Sequence, residues 1–176
     1  KWPYPDGRFR SVFSNIFYWL ESAQHAFSEL SRILDTGGHA FIALQDESFD
    51  ELCWSMKPEL QPRFKAVLEV LNRGRGESYR WRKNLAGLEM LAGAAGLKLV
   101  HHRYYLSSLV LKIWDVGLRP VSPVLIKMAN AVDPAVRREC KAEWLQTVHD
   151  LLRPVFDSEK DVTDRGGYLY LIFQKT

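Results

Sequence analysis

Asp6-Gly7-Arg8-Phe9-Arg10-Ser11-Val12-Phe13-Ser14-Asn15 is the stretch on which the fold of this chain turns. An Asp-Gly turn feeds a short apolar strand, Phe9–Asn15, that stops on two small polar residues. An amphipathic segment follows from Ala23 to Leu34, then Asp35-Thr36-Gly37-Gly38, then a second apolar strand, His39-Ala40-Phe41-Ile42-Ala43-Leu44. Strand, helix, glycine turn and strand make a βαβ unit. Such a unit requires a parallel sheet, with ligand chemistry at the carboxyl ends of its strands.

The helix between the two strands has a readable start and stop. Ser22 stands as its N-cap, with His25 where a capping-box acid would sit. Ala23, Ala26, Phe27, Leu30, Ile33 and Leu34 recur at three- and four-residue spacing and give one apolar face. Gly37 and Gly38 permit the left-handed turn that releases the chain into the next strand.

Downstream, Phe49, Leu52, Cys53 and Met56 predict a helix stopped by Pro58, and Phe64, Val67, Leu68 and Leu71 another ending near Asn72-Arg73-Gly74. An Arg-Gly-Arg-Gly loop follows. Leu85, Leu88, Leu91, Ala92 and Ala95 form an apolar stripe closed by Gly96, and Leu97-Lys98-Leu99-Val100 opens a strand toward Tyr105. Two helical segments, divided by Asp133-Pro134, occupy Leu106–Asp164. In the second, Val136, Cys140, Trp144, Leu145, Val148, Leu151 and Leu152 share a face ahead of Pro154. Gly166-Gly167 introduces a last strand, Tyr168–Phe173.

At 176 residues the chain accommodates one domain with its own core, and 47% apolar against 26% charged residues is ordinary globular composition. No apolar run is long enough for a transmembrane segment, and Lys1-Trp2-Pro3-Tyr4 carries no signal-peptide pattern. It carries no initiator Met either, so the sequence reads as a piece of a longer chain. Cys53 and Cys140 lack partners at metal spacing and are expected as buried, reduced thiols of a cytoplasmic protein. A net charge of +3 is too small to announce a nucleic-acid partner. Lys57 to Lys83 is locally basic, which suits phosphate or carboxylate, or a solvated face with a mobile loop.

Pro3-Tyr4-Pro5-Asp6-Gly7-Arg8-Phe9-Arg10-Ser11-Val12 and Arg32-Ile33-Leu34-Asp35-Thr36-Gly37-Gly38 resemble two steps of the class I S-adenosylmethionine-dependent methyltransferases, "PF-x-D-x-S-F-D-x-V" and "R-x-L-x-P-G-G". Leu88 to Val100 resembles their "L-x-x-L-x-x-A-G-F-x-V" step. The resemblance covers most of the chain, in order. It implies an α/β fold: a partial Rossmann-like methyltransferase sheet in family strand order 4-5-7-6, the last strand antiparallel, with helices on its faces. Residues 1–176 would be a single domain, the C-terminal part of that fold, and 106–164 a helical lid inserted before the last strand. The family's glycine-rich turn, its ribose-binding acid and its adenine-side loop would lie before Lys1. Gly74-Arg75-Gly76 has no apolar strand before it and does not replace that turn. This chain alone is therefore expected to bind S-adenosylmethionine weakly. The Phe9–Asn15 strand is expected to expose an open edge that invites a homodimer.

The resemblance also implies site residues. Ser14, Asn15, Ile16 and Trp19 are the candidates for binding cofactor, and Tyr18, Asp46 and Tyr104 those for binding acceptor. Ser14 and Asn15 end a strand, where they orient ligand groups or simply cap the turn. The aromatic rings of Ile16-Phe17-Tyr18-Trp19-Leu20 stabilise a cationic sulfonium or pack in the core. The His or acid of many relatives is missing there. No catalytic base is assigned, and proximity is the expected source of catalysis. Asp46 and Glu47 suit an acceptor hydroxyl or a helix start. Tyr105, Trp114 and Arg119 fall near the base of the insertion. His101-His102 points opposite ways along a strand, and no metal site is expected. Leu109 to Val132 suits a packed lid helix or, less directly, a lipid surface. The activity implied for the intact enzyme is methyl transfer from S-adenosylmethionine to a small-molecule or glycan acceptor. A non-catalytic α/β binding or scaffold module is one alternative. A nucleic-acid methyltransferase, resting on the Arg73–Lys83 cluster, is another.

Overall fold

The computed structural model describes residues 1–15, 17, 20–53, 82–118, 121–158 and 166–176. The end of the helix expected over Phe49–Met56, the helix expected over Phe64–Leu71 and the Arg-Gly loop lie outside these residues. The described elements are β1 (Phe9–Ser14), α1 (Ala23–Ile33), β2 (Leu34–Gln45), α2 (Ser48–Leu52), α3 (Leu85–Ala94) and β3 (Leu97–Tyr104). Then come α4 (Ser108–Lys112), running into a π-helical turn (Ile113–Leu118), α5 (Ser122–Asn130), α6 (Pro134–Ser158) and β4 (Tyr168–Lys175).

The strands form one sheet in the order β1-β2-β4-β3. β1 runs parallel to β2, with Val12 beside Ala40 and Ser14 beside Ile42. β4 lies antiparallel between β2 and β3. This is the 4-5-7-6 arrangement with its final strand reversed. The outer edge of β1 carries no strand among the described residues.

Burial follows the two-residue period of the strands. Ala40, Ile42 and Leu44 of β2 and Leu169, Leu171 and Phe173 of β4 are all buried on one face. α1 lays Ala26, Phe27 and Leu30 on that face, and α3 adds Leu88 and Ala92. The Phe27 ring meets those of Phe17 and Phe173 at 5.0 and 5.4 Å. On the reverse face Phe13, in register with Phe41, is 67% exposed. Near Tyr168, on that reverse pleat, Phe49, Cys53 and Leu111 form a second, smaller cluster.

The capping of α1 is as expected: the Ser22 hydroxyl accepts from the His25 N–H at 3.2 Å. Arg32 then ties the N-terminal segment to this helix. Its guanidinium donates to the Tyr4 carbonyl (2.7 Å), the Asp6 carboxylate (2.6 Å) and the Trp2 carbonyl (3.2 Å), and forks onto Glu29 at 2.9 and 2.8 Å. The Trp2 N–H donates to Glu29 at 2.6 Å. Asp6 and Arg32, which stand in the two separate resemblance motifs, are thus one ion pair. The Arg32 side chain, and then the Trp2 N–H, hold the Glu29 carboxyl down at about 2.

Two expectations are corrected, the place of Asp35–Gly38 and the burial of Cys140. Asp35–Gly38 does not precede β2 but lies within it, as a four-residue excursion opposite Arg10 between the Phe9–Leu34 and Ser11–His39 pairs. Glycine is required there, because a Cβ on Gly38 would come within 2.9 Å of the Asp35 carbonyl oxygen and 3.1 Å of that of Arg10, both backbone atoms. The last helix runs past Pro154 and continues to Ser158. A proline this close to the C-terminus removes one ladder hydrogen bond from a helix otherwise intact. The shared apolar face of α6 is exposed: the helix has no buried residue, and Val136, Trp144, Leu145 and Leu151 are exposed. Cys140 goes with it and is exposed, while Cys53 is buried.

Candidate active site

β2 ends, β3 ends and β4 begins at the same edge of the sheet. The register sets Gln45 opposite Tyr168, and both Leu44 and Tyr104 opposite Leu169. The next residue after β2, Asp46, is fully buried. Its backbone N–H donates to the Gly167 carbonyl at 3.1 Å. Its carboxylate accepts from the Ser48 N–H at 3.0 Å and from the Ser48 hydroxyl on one oxygen, and from the Tyr104 hydroxyl at 2.5 Å on the other. The Asp-x-Ser contact is a local turn that starts α2. The Tyr104 contact is the long-range one, and it supplies part of the hydrogen bonding that a buried carboxylate needs.

A second chain of polar groups lies on the reverse pleat of the same sheet end. Arg82 donates to the Gln45 amide oxygen at 3.1 Å, and the Gln45 amide nitrogen donates to the Tyr168 hydroxyl at 2.9 Å. The Arg82 guanidinium also sits 4.8 Å from the centroid of the Phe49 ring. Tyr168 meets Phe49 and Tyr105 edge-on, at 5.5 and 5.8 Å. The Gly166-Gly167 pair makes this closure possible. A Cβ on Gly166 would overlap the Leu106 carbonyl at 1.6 Å, and Gly167, at φ +77°, would bring one within 2.8 Å of Phe49 Cα.

The expected acceptor residues Asp46 and Tyr104, 58 positions apart, are therefore hydrogen-bonded to each other. Ser14 is half-buried and Asn15 exposed at the end of β1, one strand away. Ile16, Tyr18, Trp19 and Arg119 lie outside the described residues. Ser48, Phe49, Arg82 and Tyr168 escaped sequence reasoning. Ser48 had a signal in its Asp-x-Ser spacing, and Arg82 was visible only as one member of a basic run. Tyr168 reads as an ordinary strand residue until the fold brings Gln45 to it.

Asp46 is buried, and its carboxylate holds the Tyr104 hydroxyl by a hydrogen bond. Gln45, Arg82 and Tyr168 make a lip on the reverse pleat able to orient a hydroxyl, amine or carboxylate, while Tyr104 lies on the packed face. For S-adenosylmethionine the fit is one-sided. The described residues supply the β1 end, Ser14 and Asn15, and no glycine-rich turn between a strand and a helix. They could wall one side of such a cofactor but do not enclose it. Among the described residues no group of three metal-ligating side chains converges, and no helix is long and apolar enough to cross a membrane.

No protein-family model matches this chain, and no curated protein matches its sequence. Solved structures do match in fold. A candidate sarcosine dimethylglycine methyltransferase of Galdieria sulphuraria superposes with a TM-score of 0.50 at 15% identity, over 99% of this chain and 56% of that one. Phosphoethanolamine N-methyltransferase 2 of Haemonchus contortus, in complex with phosphomonomethylethanolamine and S-adenosylhomocysteine, gives 0.50 at 11% identity, over 99% and 35%. The chain has the fold of the S-adenosylmethionine-dependent methyltransferases of class I. It spans about half and about a third of the lengths of these two proteins.

Proposed function

We propose that this chain is the acceptor-side part of an S-adenosylmethionine-dependent methyltransferase acting on a small molecule. The observation that carries the reading is the bond from half-buried Tyr104 to buried Asp46, set at the carboxyl ends of strands in a methyltransferase sheet. The Haemonchus contortus enzyme has also been crystallised with S-adenosyl-L-methionine, which supports that choice of cofactor. The cofactor, when bound, supplies the methyl group. Methyl transfer is an in-line displacement, so the protein's work is positioning and exclusion of water. Asp46 fixes the Tyr104 hydroxyl, whose oxygen accepts an N–H or O–H of the acceptor. Gln45, held by Arg82, orients the Tyr168 hydroxyl on the reverse pleat. Of the basic run, Arg82 turns inward to Gln45 and Phe49, which favours a small acceptor over a nucleic acid. A second copy pairing along the open β1 edge belongs to the same proposal, and sedimentation of the protein as a monomer would remove that part.

The test is transfer of label from methyl-labelled S-adenosylmethionine to panels of amines, phenols and carboxylates, using the full-length polypeptide. One acceptor class should be labelled, and Tyr104→Phe should slow transfer by on the order of 10-fold, the cost of a misplaced acceptor. These 176 residues alone should bind the cofactor weakly in equilibrium titration. A full-length protein that binds no cofactor and labels no acceptor counts against the reading.

A further inference from the structure

We infer that a cavity beside this lip binds an uncharged aromatic group of one or two fused rings, which forms the body of the acceptor. The cavity has a volume of about 250 Å³. Its walls include Val110, Ile113 and Trp114 from α4 and the π-helical turn, Leu152 and Phe156 from α6, and the ring of Tyr168. An apolar cavity of roughly 150 Å³ stays dry and takes up benzene, so this one has room for roughly a second ring.

Three features select the occupant. None of the lining residues is charged, so a charged group would be desolvated there without a partner. Trp114, Phe156 and Tyr168 present aromatic surface, which rings meet edge-on or offset more favourably than alkyl chains do. Tyr168 also joins the cavity to the polar lip. Its ring lines the cavity, while its hydroxyl accepts from Gln45 at 2.9 Å. A flat apolar body in the cavity thus directs its substituent toward Gln45.

The same assignment accounts for two otherwise unexplained elements. π-helical turns are rare and concentrate at functional sites, and Ile113–Leu118 supplies Ile113, Trp114 and Leu118 to the cavity wall. α6 has no buried residue, yet it sends Leu152 and Phe156, one turn apart, to this wall.

The acceptor role rests on the methyl-transfer reading; occupancy of the cavity does not. The test is titration of this protein, without cofactor, with 2-naphthol, indole and hexan-1-ol, read by calorimetry and ligand-observed NMR. Saturable one-to-one binding of 2-naphthol and indole is expected, with hexan-1-ol weaker. Val110→Trp fills the cavity and should weaken 2-naphthol binding by about 10-fold or more. Phe156→Leu removes one ring and should weaken it several-fold, and it decides the matter if the larger substitution does not fold. Absence of saturable binding, hexan-1-ol binding as tightly as 2-naphthol, or unchanged binding in the folded variants would overturn the assignment. Naphthol binding by a protein that transfers no methyl group would leave the cavity site standing and remove its acceptor role.

Discussion

The packed face of the sheet and the helical insertion are both rich in apolar residues, and they treat them in opposite ways. On the sheet, Ile42, Leu44, Leu169, Leu171 and Phe173 disappear beneath Phe27, Leu30 and Leu88. In the insertion Val124, Ile126, Met128, Leu145 and Leu151 stay exposed. A helical or strand period says that an apolar face exists; it does not say that anything covers it. Most of the burial that stabilises the fold belongs to the sheet face, while the insertion touches the rest through the Phe49–Cys53–Leu111 cluster and around the aromatic cavity. Its local stability should be low, as suits an element next to a binding site.

Paired substitutions test this contrast. Leu171→Ala opens a hole in the centre of the core and should cost about 2–5 kcal/mol in urea denaturation. A loss no larger than that of a surface change would mean the sheet face is not where stability resides. A smaller, pH-dependent effect is expected at the N-terminal clasp. Glu29 titrates at about 2 when folded, against 4.5 ordinarily, because Arg32 and the Trp2 N–H favour its charged form. A depressed acid stabilises fully above its ordinary value, and the contribution drains away as pH falls through the folded value. Stability should therefore fall between about pH 4.5 and about pH 2, and Glu29→Gln should flatten that window while lowering stability at neutral pH. An identical acid limb in the variant would show that the clasp contributes nothing. The smallest effect is expected at Leu145→Ala on α6, within about 0.5 kcal/mol, with a loss above about 1 kcal/mol revealing a partner for that face.

Much of the sheet is legible without coordinates. Ser22, Gly96 and Gly167 mark element boundaries through capping or a positive φ, and these are local requirements that single residues declare. Asp46 and Tyr104 could be picked out because each lies at or just past the end of a predicted strand. Their hydrogen bond could not, since it depends on β4 inserting between β2 and β3 and drawing both strand ends to Leu169. Arg82 and Phe49 likewise meet only after α2 and the start of β4 close against each other across Gly167. The excursion at Asp35–Gly38 was visible as a glycine turn, but its place inside β2 is set by the pairing of Phe9 with Leu34 on one side and Ser11 with His39 on the other.

By itself the amino-acid order determined the βαβ unit, the helix caps, the alternation of the strands and, through its methyltransferase-like spelling, the arrangement of the sheet. These depend on neighbours within a few positions, where sterics and local hydrogen bonding decide. Tertiary structure alone decided that Asp46 would be buried under Tyr104, that Arg82 would reach Gln45, and that α6 would leave its apolar face uncovered while helping to line an aromatic cavity. Those outcomes turn on which distant surfaces meet, and no local period carries that information.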